Sequence, residues 1–163
     1  MFAELERSEH TFEYKGSVVR LRYDIAALIR LERRSLSYED IFGDSISGEQ
    51  LCAFLDIGGK LPDEPVNILR EIGAAEVWRH IRSAVLLSLP ERDPLILDTP
   101  KSGAKPDMKK LRCLICDIVG KPESFFRRST LRELLERWQE YAVVKGLAKE
   151  PERMEMFDTE GME

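Results

Sequence analysis

The 163-residue sequence has no long apolar run and no strong excess of charge of either sign. No stretch approaches the roughly 18 to 20 apolar residues that a membrane-spanning helix needs. The first ten residues, MFAELERSEH, carry acidic side chains and no apolar centre, unlike a secretory signal. We therefore expect a cytoplasmic protein without a membrane partner.

Cysteine is scarce, and the three residues are an odd number. An odd count without a signal argues for reduced thiols and against a disulfide framework. Cys113 and Cys116 form a CxxC motif on a predicted helix, but zinc needs two more ligands, and Cys52, His10 and His80 stand in no paired motif. We interpret the CxxC cysteines as core residues and expect no metal site.

Catalytic motifs are also missing: the sequence has no GxSxG, no HExxH and no glycine-rich phosphate loop before a helix. Asp40, Asp44 and Glu49 are spaced like calcium ligands, but Leu51 stands where an EF-hand needs its bidentate glutamate. His80 is a lone helical histidine four residues after Glu76. We expect no catalytic residue, no cofactor and no enzymatic activity.

A nucleic-acid partner is disfavoured by the charge distribution. The net charge is -5, and the last fifteen residues contribute -4 of it, with six acids against two bases. The remaining chain is near neutral, without the basic excess of a nucleic-acid binder. Arg127 and Arg128 beside Phe125 and Phe126 could stack on bases, but we expect Ser129 to cap a helix whose start the two phenylalanines anchor.

The stretch TFEYKGSVVRLRYD predicts a β-hairpin that turns at Lys15 and Gly16. Alternation places five apolar or aromatic side chains on one face, and an isolated hairpin is marginal in water. We therefore expect helices starting near Asp24 and Ala74 to cover this face. Its residues are Phe12, Tyr14, Val19, Leu21 and Tyr23.

Caps and helical periodicity predict helices over about 25–35, 48–57, 62–72 and 74–89, the second capped by Ser47 with Gln50. The last of these ends in Leu86, Leu87 and Leu89, which make it apolar nearly all round. A helix end of this kind is either buried or held by a partner.

The second half begins with a connection, 90–106, that contains four of the eight prolines. Beyond it, two helices joined by KPESFFRRS form a C-terminal helical pair over 107–148, and the acidic tail 149–163 is expected to be disordered. The predicted fold is mainly α with an N-terminal β-hairpin, a small α+β fold. A helical bundle packs on the hairpin within 11–89, and the helical pair follows.

The order of these elements resembles the small tail assembly chaperones of long-tailed bacteriophages and of prophages in Gram-positive bacteria. In that family a TF.YKG...KLR.D hairpin feeds a helix of the LIKLEK kind, as TFEYKGSVVRLRYD feeds IAALIRLERR here. The similarity covers about 11–90. IVGKPESFFRRSTLRELLERWQEYA is also similar to the family segment in which an aromatic pair precedes a T..EL..L...Y helix, although the family's usual Trp is Phe125 or Phe126 here.

This resemblance implies a non-enzymatic viral protein of the host bacterial cytoplasm. Such chaperones bind and solubilise the tape-measure protein, help tail-tube protein assemble around it, and are absent from the mature virion. The family often makes a short and a longer, frameshifted product, and this chain fits either. We expect copies to associate head to tail into a ring or spiral, through free strand edges or the helix end at Leu86 and Leu87.

Seven large apolar side chains are the candidate partner-binding residues. The alternative function is a head–tail connector or another small structural tail protein, since connectors are also small, helical and ring-forming. A connector would persist in purified virions. The candidate residues are Trp78, Leu86, Leu87, Phe125, Phe126, Trp138 and Tyr141.

Overall fold

The computed structural model describes residues 8–90 and 108–146, and it confirms a mostly helical α+β fold with an N-terminal hairpin. Most of the predicted connection and the whole acidic tail lie outside these residues. Within them, no helix combines the length and hydrophobicity that crossing a bilayer requires. The elements are β1 (Glu9–Tyr14), β2 (Ser17–Arg22), α1 (Ile25–Arg33), a 3-10 helix (Tyr38–Phe42), α2 (Gly48–Gly58), α3 (Pro65–Ile72), α4 (Ala74–Ser88), α5 (Met108–Arg112) with a π-helical continuation (Cys113–Ile118), α6 (Glu123–Arg128) and α7 (Leu131–Val144).

The hairpin has the predicted turn and register. β1 and β2 are antiparallel with Tyr14 opposite Ser17, which leaves Lys15 and Gly16 as a two-residue turn. Both turn residues have positive φ, 47° and 78°, as the turns that match strand twist require. The predicted apolar face is buried throughout; it consists of Phe12, Tyr14, Val19, Leu21 and Tyr23.

Two helices cover this face, but one of them is not the helix we expected. α4 lies across both strands as predicted, whereas α2 supplies the second cover and α1 packs mainly on α2 and α6.

The Tyr23 hydroxyl donates to the Phe54 carbonyl at 2.7 Å. A Cβ at Gly58 would lie 2.6 Å from the Tyr23 ring, and one at Gly59 would lie 2.2 Å from the Arg20 carbonyl oxygen. These two glycines let the end of α2 approach the hairpin.

Two predicted helix starts are wrong. α3 begins at Pro65 rather than Pro62, because the Asp63 carboxylate accepts bonds from the Glu64 amide, the Asn67 side chain and the Tyr14 hydroxyl. These bonds hold the chain in a turn before the helix.

α7 is capped by Thr130 and not by Ser129. Thr130 and Glu133 form a reciprocal capping box, the arrangement that a Thr followed three residues later by Glu favours. Ser129 Oγ instead donates to the Phe125 carbonyl at 2.7 Å. The Ser129 carbonyl accepts the Ile25 amide at 3.0 Å, so the start of α1 is tied to the start of α7.

The C-terminal helices form a second core against α1, and the predicted connection between them contains α6. Ile25 contributes the α1 side of this core. Arg22 Nη2 donates to both Glu133 carboxylate oxygens and to the Arg128 carbonyl, each at 2.7 Å. The hairpin end and α1 therefore hold the C-terminal helices in place. The other buried members of this core are Leu111, Ile115, Phe126, Leu131, Leu134 and Leu135.

We predict that Gly58→Ala lowers the free energy of unfolding by about 1 to 3 kcal/mol, because the added methyl overpacks against the Tyr23 ring. Gly48→Ala at the other end of α2 is the matched control, since its Cβ would meet only Leu69 Cδ2 at 3.5 Å. Urea unfolding followed by circular dichroism measures both changes. Equal effects of the two substitutions would contradict the close packing of Tyr23 on α2.

Candidate partner-binding surface

A groove of about 420 Å³ lies between α1 and the C-terminal helices. We name it the α1 groove. Its size falls in the range of about 300 to 1,000 Å³ that is typical of binding pockets. The apolar side chains that line it come from four helices: Ile25, Leu28, Ile29, Met108, Phe126 and Leu131.

Charged side chains of both signs rim the α1 groove. Arg112 donates to the two Glu123 oxygens at 3.2 and 3.1 Å, and Arg127 lies 3.6 Å from the same carboxylate. The hydrogen bond from Arg112 lowers the pKa of Glu123 and raises that of Arg112. Both groups therefore stay charged near neutral pH, which suits an ion pair rather than proton transfer. Glu32 and Lys109 complete the rim.

The walls of the groove are set by local contacts at the start of α1. Asp24 caps this helix by accepting the Ala27 amide at 2.8 Å, and the bond from Ile25 to Ser129 fixes its distance from α7. Opposite, α5 continues as a π-helix, a variant that occurs often near functional sites.

The CxxC cysteines lie on this π-helix, and Cys113 is exposed rather than buried as expected. Leu111 and Ile115, one turn apart, supply the buried stripe, and Cys113 falls between them on the opposite side of the helix. A hydrogen bond with Asp117 raises the pKa of the Cys113 thiol, which keeps it protonated at neutral pH. A thiol in this state is a poor nucleophile.

Trp78 serves the fold. Its indole Nε1 donates to the Ile41 carbonyl at 2.7 Å, and the Arg82 guanidinium lies 5.0 Å from the ring. The side chain thereby anchors the 3-10 helix to α4.

Leu86 and Leu87 are exposed at 52% and 37%, so the apolar end of α4 is not buried within the described chain. Arg132 of α7 donates to the Leu89 and Leu86 carbonyls at 2.8 and 3.2 Å, and it fixes this end beside α7. The pair is thus an apolar surface patch, which we name the α4 patch.

Phe126 is 5% exposed and belongs to the second core, so it contributes to a binding surface only as a wall of the α1 groove. Three further candidates are half-buried: Phe125 on α6, and Trp138 and Tyr141 on α7. The Trp138 and Tyr141 rings stack with centroids 5.8 Å apart.

Cations lie over these rings. Lys121 and Arg137 lie 5.4 and 5.8 Å from the Phe125 centroid, and Lys145 lies 5.9 Å from that of Tyr141. We name this surface, made of Lys121, Phe125, Arg137, Trp138, Tyr141 and Lys145, the aromatic–basic face.

Sequence reasoning missed a histidine pair between β1 and α4. His10 Nε2 and His80 Nδ1 are 2.8 Å apart, and the His80 ring stacks on Phe12 with centroids 4.4 Å apart. Burial, together with the nearby Arg79 charge, lowers the pKa of both histidines. Nothing local could have indicated the pair, because seventy residues separate its members.

The α1 groove was missed for a different reason. The sequence predicts that the helix starting near Asp24 covers the hairpin, whereas its Leu28 and Ile29 line the groove. In residues 8–90 and 108–146, no group of three or more His, Cys, Asp or Glu side chains is placed to hold a metal ion.

Comparison with known proteins gave no relative. A scan against protein-family models, a search of curated proteins and a search of solved structures each returned no match to this chain. The function must therefore be argued from the surfaces described above.

The histidine pair predicts a loss of stability on acidification. Both histidines have folded-state pKa values below the ordinary value of 6.5, so the unfolded chain binds more protons than the folded one in the pH range between these values. The contribution of the pair to stability is therefore full above pH 6.5 and is lost as the pH falls through the folded-state pKa values. We expect the urea midpoint to fall between about pH 7.5 and pH 5.5, and to fall less in a His10→Gln, His80→Gln double variant. Glu76 and Arg79 are retained in both proteins, so the difference reports the pair. Equal pH dependence in the two proteins would contradict this assignment.

Proposed function

We propose that the chain is a non-enzymatic tail assembly chaperone of a long-tailed bacteriophage or prophage, which binds the tape-measure protein and keeps it soluble. The proposal starts from the likeness of 11–90 to that family. The observation that carries it further is the α1 groove, which is apolar inside and charged at its rim. A long helical client lays an apolar stripe into a groove of this kind.

The lining of the α1 groove suits a client whose sequence varies along its length. Hydrophobic burial is non-directional, and Met108 is an adaptable side chain that fits differing shapes. The rim carries both signs, with Glu32 and Glu123 against Lys109, Arg112 and Arg127. Charged residues of either sign beside the client's apolar stripe can therefore find a partner.

Two surfaces support self-association of the chaperone along a rod-like client. The α4 patch exposes Leu86 and Leu87, and the hairpin exposes Val18 at 55%. In the described chain the sheet has only two strands, so each strand has an outer edge open to a further strand. A contact between the α4 patch of one copy and the hairpin of the next is heterologous, and it generates a ring or an open spiral. Tail-tube protein would then assemble around the coated client in the host cytoplasm.

The test is co-expression with the tape-measure protein of the same genome, followed by affinity capture and light scattering. We expect several copies per client and a client that is insoluble alone. Ile29→Glu places a charge in the α1 groove and should lower capture by about tenfold or more, because an unpaired charge in an apolar site is costly. Val144→Glu is the matched control, since Val144 is an apolar residue that is 81% exposed and outside the groove.

Met108→Glu tests the opposite wall of the groove, and thermal melts of all three variants separate loss of binding from loss of folding. A client whose solubility is unaffected by this chain would overturn the chaperone proposal. Detection of the chain in purified virions would favour a head–tail connector or another structural tail protein.

A further inference from the structure

The aromatic–basic face concentrates positive charge over apolar rings. Lys121, Arg137 and Lys145 each contact an aromatic ring, and in the described part of the chain no carboxylate pairs with them. Two α7 acids leave these cations unpaired: Glu133 binds Arg22, and Glu140, one turn from Arg137, forms no ion pair with it among the described residues. The face is therefore a cationic surface with an apolar floor.

The segment that follows α7 has the complementary chemistry. Residues 149–163 carry six acids and two bases. Three apolar residues lie among the acids: Met154, Met156 and Phe157. Methionine sulfur packs favourably against aromatic rings. Carboxylates between such residues can reach ammonium and guanidinium groups at the edges of the same rings.

The segment is also within reach. α7 ends at Val144, and Gly146, with a φ of 71° and its amide bonded to the Val143 carbonyl, follows the cap residue Lys145. Arg137 and Lys145 are about 12 Å apart along the helix axis, whereas ten extended residues span up to about 33 Å. A tether this short gives an effective concentration on the order of millimolar, which favours this segment over a free acidic peptide.

We propose that the acidic segment 149–163 of this chain docks on its own aromatic–basic face. The contact covers Phe125, Trp138 and Tyr141, three of the residues expected to bind a partner. One consequence rests on the proposed chaperone function: client or tail-tube protein must displace the segment to reach these three residues.

Carbodiimide cross-linking of the full chain tests the contact, because it joins only lysine amines and carboxylates that touch. Lys121 is the diagnostic site, since it is distant in sequence from 149–163. We expect links from Lys121 to Glu152, Glu155 or Asp158 in the monomeric fraction, mapped by mass spectrometry. The exposed Lys15 and Lys60 serve as internal controls and should form no links to 149–163.

Two further conditions sharpen the result. Salt at about 1 M reduces the Debye length to about 3 Å and should abolish the Lys121 links. A Glu152→Gln, Glu155→Gln, Asp158→Asn variant leaves every described residue unchanged, so it cannot act by unfolding the core. In that variant the indole signal of Trp138 in nuclear magnetic resonance should shift to its high-salt position.

The proposal would be overturned if Lys121 formed no links, or if links were spread over all lysines. It would also be overturned if links occurred only in a dimer fraction, or only at Lys109 and Lys110 beside the α1 groove. Client capture is scored in parallel. Links without capture would refute the chaperone function and leave the intrachain contact standing. Capture without Lys121 links would refute the intrachain contact and leave the chaperone function standing.

Discussion

Burial of the aromatic face of the hairpin is the constraint on which the rest of the structure depends. Two strands cannot hold themselves together in water, so α4 must cross them and α2 must approach closely enough for Tyr23 to donate to the Phe54 carbonyl. Gly58 and Gly59 make that approach sterically possible. Because α2 occupies this position, α1 is left with an apolar side that the hairpin does not use.

The side of α1 that the hairpin does not use lines the candidate binding groove. Ile25 fills the second core, while Leu28 and Ile29 remain as the floor of the α1 groove. The groove stays defined because Arg22 and the Ile25 amide bind the start of α7 directly. The short stretch from Arg22 to Ile25 therefore sets the relation of the two halves.

Local signals allowed much of the fold to be predicted. Alternation in the hairpin, the helix start at Asp24 and the Ser47 cap each depend on a few neighbouring residues, and the structure confirms them. The error at the start of α7 arose because two neighbouring residues can each cap a helix. Thr130 is the cap because Glu133, three residues later, completes its capping box. The helix that covers the hairpin could not be chosen from sequence, since α1 and α2 are both apolar on one side.

The candidate site was less predictable, because its parts are distant in sequence. The α1 groove joins residues near 25–38 to residues near 108–131. Phe126 stands out in the sequence as a large apolar side chain, but only the packing shows that it forms a wall of the α1 groove. The α4 patch has a wholly local signal in the sequence, three leucines at one helix end.

The ion pair between Arg22 and Glu133 also has a consequence for the order of events during synthesis. Its partners are 111 residues apart, so a ribosome adding about 5 to 20 residues per second exposes the arginine for roughly 5 to 20 seconds before the glutamate is made. During that interval no C-terminal helix is present to cover Leu28 and Ile29 of α1. Any translation product that stopped before α7 would keep this surface open permanently, so chain length alone could set how much apolar area the protein offers.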